Sequence, residues 1–276
     1  MPTLRGLKLL ETIDVYGPLT ITEIANVAGI DKSWVSRIVA ACEQDGWVVR
    51  QSGRVALGPR AALLAHSSAA GELIRRAQPL VEAVAGVTGL MAQAYALVGS
   101  QATVLAAAGA SAPHPSGGVK MSTSLVATAA GQVVAAQLDP ETLERLLPSE
   151  PFPDALAELL DNPGYVAFAA GRFVSVSDFK PSVPHDREQL RSRLDEVREQ
   201  GFAIDRGDLH PQIGCIAVPW IDANATAALA CMGTPAEITA SAGLTRAVLD
   251  AAAAPAATRE AVVAAAANAR HYSVAP

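Results

Sequence analysis

Two short amphipathic helices joined at one glycine constrain this chain most: "LTITEIANVAG" (19–29) and "AGIDKSWVSRIVAACEQDG" (28–46). At about 100° per residue, Ile21, Ile24, Ala25 and Ala28 fall on one stripe of the first. In the second, Val35, Ile38, Val39 and Cys42 follow the spacing of a core-facing helix. Thr20 or Thr22 can cap the first helix and Asp31 the second, because their side-chain oxygens accept from free N–H groups of the first turn. Gly46 follows the last turn, where a left-handed residue often ends a helix. A pair of this kind with a tight Gly29 turn is a helix-turn-helix.

The outer face of 31–45 holds Ser33, Arg37, Ala40 and Gln44, flanked by Trp34 and Ser36, with Lys32 at the start. Such a face is either an ordinary solvated surface or one built to approach a grooved polyanion. The flanks favour the second reading. "LRGLKLLETIDVYG" (4–17) is a preceding helix, with Leu9, Leu10, Ile13 and Tyr16 on one side. "WVVRQSGRVALG" (47–58) holds two short β-prone runs about a Ser-Gly turn, with Arg50 and Arg54 near the tip. Three helices and a basic hairpin make a winged helix-turn-helix, in which the third helix enters the major groove and the wing follows the backbone. Arg37 is then the residue to read a guanine, since a guanidinium bridges O6 and N7. Ser33, Trp34 and Ser36 touch bases or phosphates, and Lys32, Arg50 and Arg54 meet phosphates. Trp34 can instead pack beside the core and expose only an edge.

Charge agrees with this division. The chain carries −6 overall, yet residues 1–60 hold seven Lys/Arg against six Asp/Glu, and the remainder fourteen against twenty-one. An acidic body leaves DNA contact to the N-terminal unit. Counterion release grows with the number of phosphates neutralised, so a dimer helps so weakly basic a unit. With 276 residues, half of them hydrophobic and only 4% aromatic, two domains with Ala/Val/Leu/Ile cores are expected. No apolar run spans a bilayer. Glu11 and Asp14 interrupt any signal-peptide layout. Cys42, Cys215 and Cys231 give neither a disulfide framework nor a zinc spacing, and a cytoplasmic setting is expected. The five histidines are scattered without ligand spacing, so no metal is expected. No cofactor is expected either, since Walker and dinucleotide fingerprints and the G-x-S-x-G elbow are missing.

The fold expected is α+β: a winged helix-turn-helix over 1–59, a connector helix over 60–71, and a domain with an antiparallel sheet over 72–276. Gly71 and Pro79 argue against one unbroken rod, so 60–70 and 72–88 read as separate helices. Leu63 and Leu64 suggest packing between subunits. Strands are expected at 90–98 and 102–110, with a loop at 111–123. A small-residue helix over 124–138 would have Ser122, Thr123 and Ser124 at its mouth. Short helices at 139–147 and 152–160 follow, then an irregular strand at 171–179. "HDREQLRSRLDEVREQG" (185–201) is an amphipathic helix with a Leu190, Leu194 and Val197 stripe. Residues 202–233 supply three strands with a turn at Asp222 to Asn224, and the tail (235–270) is helical, broken at Gly243 and Pro255.

From about residue 4 to about 250 the chain resembles the IclR-type transcriptional regulators. The N-terminal stretch 5–60, "TAAGQVVAA" (128–136) and "LRSRLDEVREQGFAIDRGDLHPQIGCIAVPWID" (190–222) carry the resemblance, the last through a G-(F/Y)-A-x-D run leading to C-I-A-x-P. It implies a winged-helix DNA reader joined by a helix to a GAF-like effector-binding domain. Dimers or tetramers would act on palindromic operators of catabolic genes and respond to a small organic acid. It also implies a pocket with Asp205 and Cys215 as acid and cysteine and Ala130 and Gly131 on the pocket helix. Where the family often places two hydroxyl residues, this chain has Ala230 and Met232. An apolar wall there favours a larger ligand, such as an aromatic acid.

Helix N-termini hold carboxylates, so an anionic ligand group is expected near Gly117, Gly118 and Ser122 to Ser124. An ordinary Ser/Thr cap reads equally well there. Asp205 suits a ligand hydroxyl or backbone better than a carboxylate. Cys215 outside its context is a small buried hydrophobe. Two competing readings stay open: a hydrolase using Cys215 with His210 as base, their side chains expected on opposite strand faces, and a DNA-binding scaffold without an effector.

Overall fold

The computed structural model describes residues 2–66, 68–109, 122–150, 152, 182–220 and 225–272. The chain divides into two compact units, residues 1–73 and the described residues from 74 onward. No described helix is long and apolar enough to cross a membrane.

The N-terminal unit contains α1 (Pro2–Tyr16), α2 (Ile21–Ala28), α3 (Lys32–Gln44), the hairpin β1 (Val48–Gln51) and β2 (Arg54–Leu57), and α4 (Pro59–His66). Its centre is a cluster of Leu9, Ile13, Ile24, Ala25, Val35, Val39, Val48 and Val55, so every element contributes except α4. Of the two candidate caps, Thr20 starts α2. Its hydroxyl accepts from Glu23 N–H while the Glu23 carboxylate accepts from Thr20 N–H, a reciprocal box. Gly29 ends α2 at φ +65°, and Ile30 N–H returns to Ala25 O, which fixes the turn into α3. Ser52 and Gly53 both take positive φ, 52° and 78°, the pairing that matches the twist of a two-residue hairpin.

Helix α5 (Ala69–Thr88) runs through both Gly71 and Pro79. The expected break at Gly71 falls earlier: the Ser68 hydroxyl accepts from Gly71 N–H and starts the helix. The C-terminal unit follows with β3 (Met91–Val98), β4 (Gln101–Ala108), β5 (Ser122–Ser124), α6 (Ala129–Ala136), α7 (Pro140–Leu146), α8 (Arg187–Gln200), β6 (Ala203–His210), β7 (Ile213–Pro219), β8 (Ala227–Gly233), α9 (Pro235–Ala253) and α10 (Arg259–Tyr272). The six strands form one antiparallel sheet in the order β5-β4-β3-β8-β7-β6. Helix α6 packs across β6, β7 and β8. On the other face α9 covers β7 and β8, where Gly214 lies against Pro235 and Ile238.

Three expectations change. Residues 122–124 are a strand, and the small-residue helix begins only at Ala129, capped by the Thr128 hydroxyl accepting from Gly131 N–H. Gly243 does not interrupt α9; the tail breaks over 254–258, where Pro255 lies. The helix expected at 152–160, the strand at 171–179, the Gly117 and Gly118 loop and the turn at Asp222 to Asn224 lie wholly or almost wholly outside the described residues.

The turn from β5 into α6 depends on Gly131. A Cβ at this position would run into the Ser124 carbonyl and lie 3.0 Å from Leu125 Cα, both backbone atoms that cannot swing aside. Gly131→Ala is expected to cost ~3 kcal/mol through forced backbone displacement, measured as a lower urea midpoint. An unchanged midpoint would show that the turn relaxes freely.

Candidate nucleic-acid interface and effector pocket

On α3, Val35 and Val39 are fully buried, and Ile38, Trp34 and Cys42 pack against the same cluster. This rotation leaves Lys32, Ser33, Ser36, Arg37, Ala40 and Gln44 exposed along one side. Asp31 accepts from Trp34 N–H at 2.9 Å and starts the helix beside that face. Trp34 is half-buried, the packed alternative for this residue. Arg37 makes no ion pair among the described residues.

The wing arginines differ. Arg50 Nε donates to Glu43 Oε2 at 2.9 Å, tying β1 to α3. Arg54 Nη1 donates to Pro18 O and to Glu23 Oε2, both at 3.0 Å. The Glu23 carboxyl is held below its usual range, first by the Thr20 hydrogen bonds and then by Arg54. Both pairs are exposed and therefore weak, so phosphates can compete for the guanidinium groups. The threonine-to-glutamate spacing of the box is legible in the sequence. The Glu43–Arg50 pair is not, because only the turn from α3 into β1 brings them together.

In the C-terminal unit, register gathers most of the expected pocket residues. Cross-strand pairs run Asp205–Cys215–Met232–Met91 in one row and Ala203–Ala217–Ala230–Gln93–Ala107 in the next. Paired antiparallel residues share a face, so Asp205, Cys215, Ala230 and Met232 lie together on the side covered by α6. Thr123, opposite Ala102, joins this face and donates to the Thr128 hydroxyl at 3.1 Å. Ala130 and Gly131 supply the facing helix. Ser122 points the other way and shares a hydrogen bond with Thr103 at 2.9 Å. Ser122 and Thr123, two of the three hydroxyl residues expected at a helix mouth, are thus on opposite faces of an edge strand, and the capping role falls to Thr128.

Asp205 is buried, and its Oδ1 accepts from Gly207 N–H at 2.8 Å and Asp208 N–H at 2.7 Å. It thereby holds the irregular stretch in which β6 loses register with β7, and Gly207 takes φ +98° there. Burial raises its carboxyl to about 6, against the lowering effect of those N–H groups. Burial also pushes the Cys215 thiol well up, although the Ala130 backbone hydrogen-bonds toward it. That is the wrong direction for a nucleophile, which must be a thiolate. His210 is buried, pairs with Ile213 and accepts from Gln212 N–H through Nδ1. The irregular register puts it on the same face as Cys215, correcting the strict alternation assumed from the sequence.

The space beside Asp205 is a crevice of about 10 Å³ lined by Ala127, Ala129, Gln132, Arg193 and Asp208, room for roughly one water. A second buried polar group lies on the same sheet face, and the sequence does not mark it. Gln93 is fully buried on β3, and Tyr95 Oη donates to its Oε1 at 2.6 Å and lies 3.8 Å from Met232 Sδ. Their i, i+2 spacing puts both side chains on one strand face, but nothing in the sequence distinguishes that face. Among the described residues no group of three His, Cys, Asp or Glu is arranged to hold a metal.

Residues 3–53 match the MarR family model, and residues 173–257 match that of the bacterial transcriptional regulator IclR C-terminal domain. The HTH-type transcriptional regulator BhcR of Paracoccus denitrificans is 28% identical over 233 residues, 81% of this chain and 73% of that protein. An IclR homolog from Microbacterium hydrocarbonoxydans, solved as a complex with 4-hydroxybenzoate, superposes with a TM-score of 0.63 at 21% identity, covering 98% of this chain and 100% of that one. An IclR-type regulator from Alicyclobacillus acidocaldarius gives 0.58 at 21% identity, with 99% and 98% covered. These structures share the fold: a helix-turn-helix followed by a domain built on a curved antiparallel sheet. The two partial family matches, the curated relative and the shared architecture make the chain similar to the IclR-type transcriptional regulators in both its helix-turn-helix unit and its C-terminal domain.

Proposed function

We propose that this chain is a sequence-specific operator-binding regulator without catalytic activity, working in the cytoplasm as a homodimer or homotetramer on a palindromic site. Residues 1–59 read the DNA, 60–71 connect, and 72–276 sense a small organic acid of a catabolic pathway. Binding of the acid shifts a balance between DNA-competent and incompetent arrangements. The observation that carries the reading is the rotation of α3: buried Val35 and Val39 leave Arg37, Ser33 and Ser36 together on the open side. Exposed Leu63 and Leu64 on α4 support association between copies. The acid belongs on the α6-facing side of the sheet. Ala230 and Met232 give that wall an apolar surface, which favours an aromatic acid, and the 4-hydroxybenzoate complex of the Microbacterium homolog supports the same class. Since the crevice beside Asp205 holds about one water, ligand binding there requires the wall to open.

Two arginines separate reading from anchoring. Arg37→Ala is expected to weaken the operator complex roughly ten- to a hundredfold and to relax base preference where its guanine lies. Arg54→Ala is expected to weaken all sequences alike and flatten the salt slope by about one. Competition binding with the chain's own upstream DNA and randomised variants measures both, and intact preference in Arg37→Ala would remove α3 as the reader.

Asp205 sets a pH dependence. Its carboxyl titrates near about 6 when folded, against 3.8 as the ordinary value. Between these values the unfolded chain loses its proton first, so Asp205 lowers stability as pH rises and its effect levels off above about 6. Asp205→Asn keeps the acceptor oxygen without the charge. It is expected to match the parent near pH 4 and exceed it above pH 7 by on the order of 2–3 kcal/mol. Chemical denaturation at the two pH values measures this; an equal difference at both would contradict it. On the same grounds, ionisation of Asp205 should weaken an anionic effector as pH rises through about 6.

A further inference from the structure

The C-terminal unit holds a second, larger cavity away from Asp205. Its volume of about 380 Å³ falls in the range of small-molecule sites. Leu125, Val126, Leu146 and Phe152 supply an apolar lining, while Gln101 and Arg145 contribute polar groups. The charges around it are unevenly matched. Arg187 and Arg191 on α8 pair with Glu144, Arg187 also reaches Glu150, and Arg198 pairs with Asp195. Arg145, one position after Glu144, donates only to the Thr142 hydroxyl at 3.3 Å and has no carboxylate partner among the described residues. Glu144 and Glu150 are engaged by Arg187 and Arg191, and Glu141, one turn before Arg145 on α7, makes no ion pair with it, so the guanidinium on the cavity wall keeps its fork open. A guanidinium free to use its planar fork takes a carboxylate in two parallel hydrogen bonds.

The cavity also shares a wall with the α6 side of the sheet. Ser124 O accepts from the Thr128 hydroxyl at 3.3 Å, and Val126 O accepts from Gln132 Nε2 at 2.8 Å. Gln132 and Ala127 in turn line the crevice beside Asp205. Segment 124–132 thus faces the larger cavity on one side and the crevice on the other.

We propose that this cavity is a binding site, separate from the sheet-face pocket, for an amphipathic monocarboxylate whose acid group is held by Arg145 and whose apolar body rests on Leu125, Val126 and Phe152. Occupancy stiffens segment 124–132 and so reaches α6. The site does not depend on where the sheet-face effector binds.

Titration calorimetry of the full chain with benzoate and hexanoate tests this. The parent binds at least one of the two probes. Arg145→Gln loses about tenfold in affinity, the loss of a charge-assisted anchor, Arg145→Lys recovers part of it, and Leu146→Trp, which fills the cavity, abolishes it. Cys215→Ala, on the sheet face, leaves the Arg145-dependent part of the binding unchanged, whatever it does to an aromatic acid bound on that face. The bound probe slows amide exchange over 124–132 in the parent and not in Arg145→Gln. Thermal melts of each variant confirm folding. Unchanged affinity in Arg145→Gln, loss in Cys215→Ala with retention in Arg145→Gln, or no binding of either probe to the parent would each overturn the proposal.

Discussion

Burial of Val35 and Val39 fixes the rotation of α3, and the chemistry of the N-terminal unit depends on that rotation. The pair sits one turn apart, meets Leu9, Ile13, Ile24 and Val55, and is fully withdrawn from solvent. Turning the helix by a third of a revolution would expose both valines and bury Arg37. Burying an unpaired guanidinium is far costlier than exposing a methyl group. The Thr20–Glu23 box and the left-handed Gly29 then set where α3 starts relative to α2. The reading face follows from apolar burial on the opposite side, and Arg37 needs no hydrogen bond of its own to stay outward.

The C-terminal unit uses a different constraint. Its pocket face is assembled by antiparallel register, which places Asp205, Cys215, Met232 and Ala230 side by side from three strands. Small residues make this possible. Ala129 to Ala135 are all buried, so α6 lies close to the sheet, and Gly131 allows its first turn to touch the Ser124 backbone. A helix of larger side chains would stand off and leave a wide channel. Close packing instead leaves a crevice that a ligand must open, which suits a sensor whose two states differ by a small displacement of one short helix.

Much of the N-terminal unit was legible because its signals are local. Periodicity gave the stripes, and Asp31, Thr20 and Gly29 are cap residues at fixed offsets. The misses also have local causes. Three hydroxyl residues at 122–124 drew the helix start forward, whereas the working cap is Thr128, followed by Gly131 rather than a glutamate. Ser68, not Gly71, sets the start of α5 for a similar reason: one serine hydroxyl outweighs the flexibility of a glycine inside a helix. Asp205 and Cys215 stood out only through the resemblance, since an isolated buried carboxylate and thiol have no periodic mark. Gln93, Tyr95, the Glu43–Arg50 pair and the Arg145 cavity depend on tertiary placement, and no spacing along the chain announces them.

Guanine methylation interference on the operator fragment, with the full-length protein, tests the central claim most directly. A major-groove reader whose guanidinium contacts guanine N7 predicts interference at guanines in two symmetric clusters about one helical turn apart, or a multiple of it. Binding that tolerates N7 methylation throughout the protected site, with interference only from minor-groove adenines, would contradict it.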